Sequence, residues 1–383
     1  MFHTGNAKRA ILRATLAATL LGGAMGVARA QSSVTLYGLL SVGVTYTNNQ
    51  GGNHLYQLQN GPQQLPRFGF KGSEDLGGGS KAIFLLENGF SLTTGALGQG
   101  GLLFGRQAYV GYSSNNLGTL TAGRQYEEMA QQLFWYESGT LYATYGTHIG
   151  DNDNIFNTFR FNNSVRYLSP QFGPIQVSGS YAFSNKAGGF SDNNGYSAGL
   201  SFATGPVKAN AAYTLINFPG DTANTTGAVD PAGYGFSSPF VHSPGPGAAS
   251  VHQQSIYGAG GSYAFGTITA ALLYTHSHFL YRDNTTLNLN NVEISARDFI
   301  TPDIALGAGY IITYGEYSEN GKHPQYQQVN LSADYFFSKR TDVYLVGVYQ
   351  KAGRDAKFAQ VYTFSPSSTN AQVGVTAGIR TKF

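Results

Sequence analysis

Apolar and polar side chains alternate in long runs that recur from one end of the chain to the other, with almost no helical period between them. The last run is the clearest: Val373, Val375, Ala377, Ile379 and Phe383 fall on one face, and Gln372, Thr376, Arg380 and Lys382 on the other. Successive side chains of a strand point to opposite faces, so each run is a ribbon with one greasy and one wet side. A soluble sheet would set its greasy face on a core. So many ribbons without helices point instead to a closed barrel, lipid outside and a wet lumen within.

The runs fall near 34–46, 64–73, 79–91, 102–114, 119–126, 159–169, 175–184, 195–204, 207–216, 252–264, 267–281, 291–300, 304–317, 324–337, 342–351 and 371–383. Most have about the ~9–11 residues that carry a tilted strand across a bilayer. Short connections built from turn-forming residues, such as 74–77, 115–118, 204–206, 265–266 and 301–303, alternate with long ones at 126–158, 217–251 and 352–370. That rhythm predicts an all-β fold: a transmembrane antiparallel up-and-down β-barrel of about sixteen strands, with the first paired to the last. Closure is compulsory, because each unpaired backbone N–H or C=O facing lipid costs several kcal/mol. One run, Val343–Val348, is apolar on both faces and so predicts something other than water against its inner side.

The first thirty residues read as a cleaved signal peptide: Lys8, Arg9 and Arg13, then the apolar stretch Leu16–Leu21, then Ala28-Arg29-Ala30 at the cleavage site. The barrel domain is then 31–383. Removing that segment takes four of the 23 Lys+Arg, leaving 19 against 20 Asp+Glu, a net of −1. Such a balance argues against a nucleic-acid partner. The absence of cysteine excludes a disulfide framework and thiolate metal sites. The 26 Tyr and 25 Phe suit aromatic girdles at two membrane interfaces.

Two stretches carry a family resemblance. One is Arg67-Phe68-Gly69-Phe70-Lys71-Gly72-Ser73-Glu74-Asp75-Leu76-Gly77 with Ala82–Glu87; the other is Arg106–Gly111 with Leu117–Leu120 and Gly123-Arg124-Gln125-Tyr126. With Val34–Gly38 and the terminal Phe383, they resemble the general-diffusion porins of Gram-negative bacteria, most closely the beta-proteobacterial type. The resemblance implies a trimeric sixteen-stranded barrel in outer-membrane lipid that passes ions and small hydrophilic solutes, without cofactor, metal or catalysis. It implies that Phe383 is the signal read by the outer-membrane assembly machinery. It also implies that Arg67, Arg106 and Arg160 form a basic ladder on the channel wall, and that 126–158 is the third loop, folded inward as a constriction. Two features depart from the family: Leu39 replaces its first-strand lysine, and the loop lacks a Pro-Glu-Phe-Gly stretch.

Alternation in the Arg67 motif turns Phe68 and Phe70 outward and Arg67 and Lys71 into the lumen. An outward Arg or Lys at the bilayer midplane would cost roughly 2–4 kcal/mol, which fixes this register. Arg160, Asn162, Ser164 and Arg166 likewise share a face opposite Phe159, Phe161, Val165 and Tyr167. Arg124 falls on the apolar face of its strand and is a candidate for a subunit interface, paired with a carboxylate. The loop supplies the acids Glu127, Glu128, Glu137, Asp151 and Asp153, and the only tryptophan, Trp135; acids facing wall arginines would set up a transverse field. Ordinary lumen-side charge is the plainer reading of the arginines, and a surface position that of some of the loop acids. His276 and His278 share a strand face but have no third ligand or acid nearby in sequence, so they read as an interfacial pair. A non-conducting adhesin or structural barrel with binding loops is the alternative function; a barrel hydrolase lacks a nucleophile constellation.

Overall fold

The computed structural model describes residues 33–231, 233, 234, 239, 240 and 251–383. The segment read as a signal peptide lies outside the described residues, as does part of the long loop 218–250. Seventeen strands follow in order: β1 (Ser33–Gln50), β2 (Asn53–Asn60), β3 (Arg67–Gly77), β4 (Ser80–Gly89), β5 (Gln107–Ser114), β6 (Gly118–Gln125), β7 (Phe161–Leu168), β8 (Ile175–Ala182), β9 (Gly195–Thr204), β10 (Val207–Asn217), β11 (Val251–Phe265), β12 (Ile268–Tyr281), β13 (Thr286–Thr301), β14 (Ile304–Tyr317), β15 (Pro324–Phe336), β16 (Thr341–Arg354) and β17 (Ala371–Lys382). All pairings are antiparallel and join sequence neighbours, apart from β1 with β3 and the β1–β17 seam.

Seventeen strands make sixteen staves. β1 pairs with β3 over Ser33–Leu39 and with β2 over Val42–Gln50, so β2 and β3 are two halves of one stave. The break at 61–66 holds Pro62 and Pro66, which lack the N–H a ladder needs. β1 then meets β17 from Leu39↔Lys382 to Thr47↔Gly374, and Gly38 and Phe383 exchange both backbone bonds at 3.0 Å. That seam leaves the barrel without an open edge.

The faces follow the alternation. Val375, Ile379, Leu345, Leu331, Leu272 and Ile294 are exposed outward, an apolar band suited to lipid. At the short-turn end Tyr263, Phe265, Phe299, Tyr335 and Phe337 are exposed at strand termini, as a girdle requires. Among the described residues no helix is long and apolar enough to cross a membrane.

Three local readings change. Glu74-Asp75-Leu76-Gly77 is strand rather than turn: Gly77, Gly78 and Gly79 all take positive φ and absorb the bend, so Asp75 pairs with Lys81 in the ladder. β13 begins at Thr286 rather than 291 and β5 begins at Gln107 rather than 102. On β7 the predicted faces hold from Ser164 onward and invert before it. Asn163 takes φ 50°, and the β6–β7 register slips there. This bulge turns Phe161 inward to pack with Met129 and Leu133, and sends Asn162 toward Arg124.

Residues 126–160 enter the lumen. They form α1 (Glu128–Leu133), a 3₁₀ turn at Phe134–Tyr136, α2 (Ser138–Tyr142) and further turns at Thr144–Gly146 and Ile149–Asp151, nearly all buried. The loop crosses wall after wall: Gln132 donates to Ser178 of β8 at 3.0 Å, Tyr136 to Asn210 of β10 at 2.9 Å, Tyr142 to the Ala296 carbonyl of β13 at 2.6 Å, and Tyr145 to Thr376 of β17 at 2.9 Å. Small wall residues make room. A Cβ on Gly260 would lie 2.7 Å from the Tyr136 ring, and one on Gly309 2.4 Å from Ser138 Oγ. The doubly apolar β16 is explained by the same contact: Tyr344, Val346 and Val348 pack inward on Ala143 and Tyr145 of the loop and on Val361 and Phe364 of 355–370.

Candidate functional site

The wall that loop 126–160 leaves least covered is β3 to β7, and its cations gather there. Arg67 stands opposite Gly89 and Glu87 opposite Gly69, so the two inward side chains are diagonal neighbours across β3 and β4. Glu87 Oε2 lies 3.9 Å from Arg67 Nε, and Oε1 accepts from Arg106 Nε at 2.8 Å; Tyr37 completes the carboxylate at 2.8 Å. Tyr126, the first loop residue, carries the row onward: the guanidinium of Arg106 lies 6.0 Å and that of Arg160 5.4 Å from its ring centre. Arg160 is held by the Thr158 carbonyl at 2.8 Å and Asn157 Oδ1 at 3.0 Å. Three arginines thus form one array, spaced by a carboxylate and an aromatic face.

Lys71 and Arg166 stand apart from that array. Lys71 sits four residues along β3 from Arg67, about 13 Å at strand rise, with its ammonium 5.5 Å from the Tyr37 ring. Arg166 grips Glu128 in a forked pair at 2.6 and 3.1 Å and so anchors α1 to β7. Arg124 points away from the lumen wall. Its Nε donates to the Gly105 carbonyl at 2.8 Å, and its Nη1 reaches Asn162 and Asp230, the latter at 3.3 Å. It therefore has a carboxylate partner inside its own chain.

The five loop acids are at most 4% exposed, and each is engaged locally. Glu127 caps α1, accepting from the N–H of Met129 at 2.6 Å and of Ala130 at 3.1 Å. Glu128 is bound to Arg166. Glu137 accepts from the N–H of His148 at 2.8 Å. Asp151 accepts from Phe156 and Thr158 N–H groups, both at 3.0 Å. Asp153 takes His148 Nδ1 at 2.6 Å and Thr275 Oγ1 at 2.5 Å. Burial pushes Glu127 and Asp151 up to about 7 and Glu137 to about 8, with hydrogen bonds or, for Glu137, His148 opposing the rise. Trp135 is 64% exposed.

Glu87 and Tyr126 escaped the residue-by-residue reading. Glu87 closes a run of Ile, Phe and Leu, and only the inward register of its strand marks it. A second group lies on the other wall: Arg380 forks onto Asp342 at 3.0 and 3.1 Å, and Arg297 pairs with Asp334 at 3.4 Å. Alternation had placed Arg380 on the wet face without a partner. His276 and His278 bond Asn290 and Asn288 at 2.9 and 2.7 Å on the outer face, and among the described residues no acid bonds either.

Residues 15–355 match the family model described as Gram-negative porin. The chain belongs to the Gram-negative porin family. Its barrel is a diffusion channel of the bacterial outer membrane, and the family's members are channels rather than enzymes. An outer membrane porin protein of Bordetella pertussis is 32% identical over 288 residues, 68% of each chain. Among solved structures, the anion-selective porin from Comamonas acidovorans superposes with a TM-score of 0.74 at 23% identity, covering 92% of this chain and 100% of that one. The trimer form of OmpT from Vibrio cholerae gives 0.63 at 13% identity, covering 92% and 99%. These two likenesses concern the fold.

Proposed function

We propose that this porin passes small hydrophilic anions in preference to cations, and that Arg67, Arg106 and Arg160 set the preference at the constriction. The observation that carries the reading is an asymmetry of charge. The arginines stand together with one carboxylate among them, whereas the five acids of the loop are spent on caps, turns and ion pairs; Arg106 and Arg160 are themselves only 5% exposed, and Arg67 is the most open of the three. A solute threading the gap trades water for fixed charge, and the uncompensated charge there is positive. The anion selectivity stated for the Comamonas porin agrees with this sign.

Reversal potential across a potassium chloride gradient tests it. Wild type should reverse on the chloride side, and Arg67→Ala with Arg106→Ala should move it toward potassium. A cation-selective wild type, or a double variant that reverses where wild type does, would refute the assignment.

The working unit in this reading is a homotrimer, supported by the trimer form of the OmpT neighbour, with residues 31–383 as the mature barrel and Phe383 as the feature read during assembly. Native mass measurement in detergent distinguishes a trimer from a monomer.

A further inference from the structure

Besides the Arg166–Glu128 fork, loop 126–160 is fastened to the wall by charge at His148. His148 is fully buried, with Nδ1 2.6 Å from Asp153 Oδ2 in the loop and Nε2 3.0 Å from Glu293 Oε2 on β13. A neutral imidazole carries a single N–H and could serve one carboxylate; two such neighbours call for the imidazolium, which donates to both. The surroundings join loop to wall on every side. Glu293 Oε1 accepts the Ser138 N–H at 2.6 Å, Asp153 accepts from Thr275 of β12 at 2.5 Å and from Asn291 of β13 at 3.2 Å, and Glu137 accepts the His148 N–H at 2.8 Å. The titratable groups facing His148 are therefore Asp153 and Glu137 from the loop and Glu293 from the wall. Glu137 Oε2 and Asp153 Oδ1 are buried without a hydrogen-bond partner among the described residues. Nor is any trio of His and acidic side chains among those residues arranged to hold a metal ion.

We propose that His148 is a positioning residue: as a cation between Asp153 and Glu293 it clamps loop 126–160 to β12 and β13 and thereby fixes the bore of the channel. The inference rests on the reading of that loop as the constriction. Without the cation, three carboxyl groups would share one water-poor site, and a buried charge stripped of its partner is strongly unfavourable. The neighbouring acids also hold the His148 pKa well above its ordinary value, despite burial that opposes them.

The test is single-channel recording of the purified full-length porin in planar bilayers, with barrel folding of each variant checked by heat-modifiable gel migration. His148→Gln and Glu293→Gln should each raise open-channel noise several-fold and increase conductance, and the double variant should be no noisier than either, since both break one link. Raising pH far enough to discharge the imidazolium should add more noise to wild type than to His148→Gln, which has no imidazolium to lose. Folded single variants as quiet and as conductive as wild type would overturn the clamp. A loop-shortened variant lacking 138–147 separates the two ideas. If it conducts more than wild type while His148→Gln does not, the clamp alone fails; if it conducts as wild type does, the constriction reading fails too.

Discussion

At the scale of single residues, two contacts decide whether parts of the channel hold position. The Arg166–Glu128 fork is the ionic tie between α1 and the wall, and Glu128 lies fully buried. Arg166→Met should strand that carboxylate at a cost of about 3–5 kcal/mol to the loop's docking. Protease cleavage within 126–160 should then rise several-fold while the barrel stays intact; cleavage unchanged from wild type would argue that apolar packing alone docks α1. At the seam, a Cβ on Gly38 would lie 2.2 Å from the Phe383 ring, so the ring must leave its present place. Gly38→Val should therefore depress the yield of heat-modifiable barrel sharply. Normal yield would show that ring placement is dispensable for closure.

At the scale of elements, the strands were legible from alternation, and the inward loop only through the family resemblance. β17 could be read face by face because its alternation is unbroken, and lipid on one side and water on the other permit no compromise. Alternation failed at Phe161, where the left-handed Asn163 inserts a bulge that no period can announce. It also missed β2, whose stave is interrupted by Pro62 and Pro66. Arg67, Arg106 and Arg160 were recognisable from motif and face. Their neighbours Glu87 and Tyr126 were not, because their roles arise from diagonal and loop contacts outside any local pattern. The acids of the loop carried charge in sequence; their burial is a tertiary fact. That burial gives a pH prediction. Glu127, Asp151 and Glu137 have folded values of about 7, 7 and 8, above their ordinary ones. Groups raised on folding stabilise the docked loop fully below their unfolded values, and that contribution is lost as pH rises through the folded values. The loop should loosen above about pH 8. Trp135 is the chain's only tryptophan and sits in this loop. Its acrylamide quenching should increase over that range while the far-ultraviolet strand signal stays constant; flat quenching would contradict the shifts.

At the scale of the whole molecule, the barrel and its filling divide the work. The closed ladder satisfies the backbone in lipid, and its wet face leaves side chains free to set a field. Loop 126–160 occupies the lumen along β8 to β17, and the arginines stand on β3 to β7. In the proposed reading selectivity comes from the wall, because the loop's carboxyls are spent on caps, turns and ion pairs. The direct comparison is the reversal potential of Arg106→Gln against Asp151→Asn, each neutralising one group near the gap. A wall-set field predicts that Arg106→Gln moves the potential toward cations and that Asp151→Asn leaves it within error of wild type. Equal and opposite shifts from the two variants would contradict it and return the loop acids to the opening.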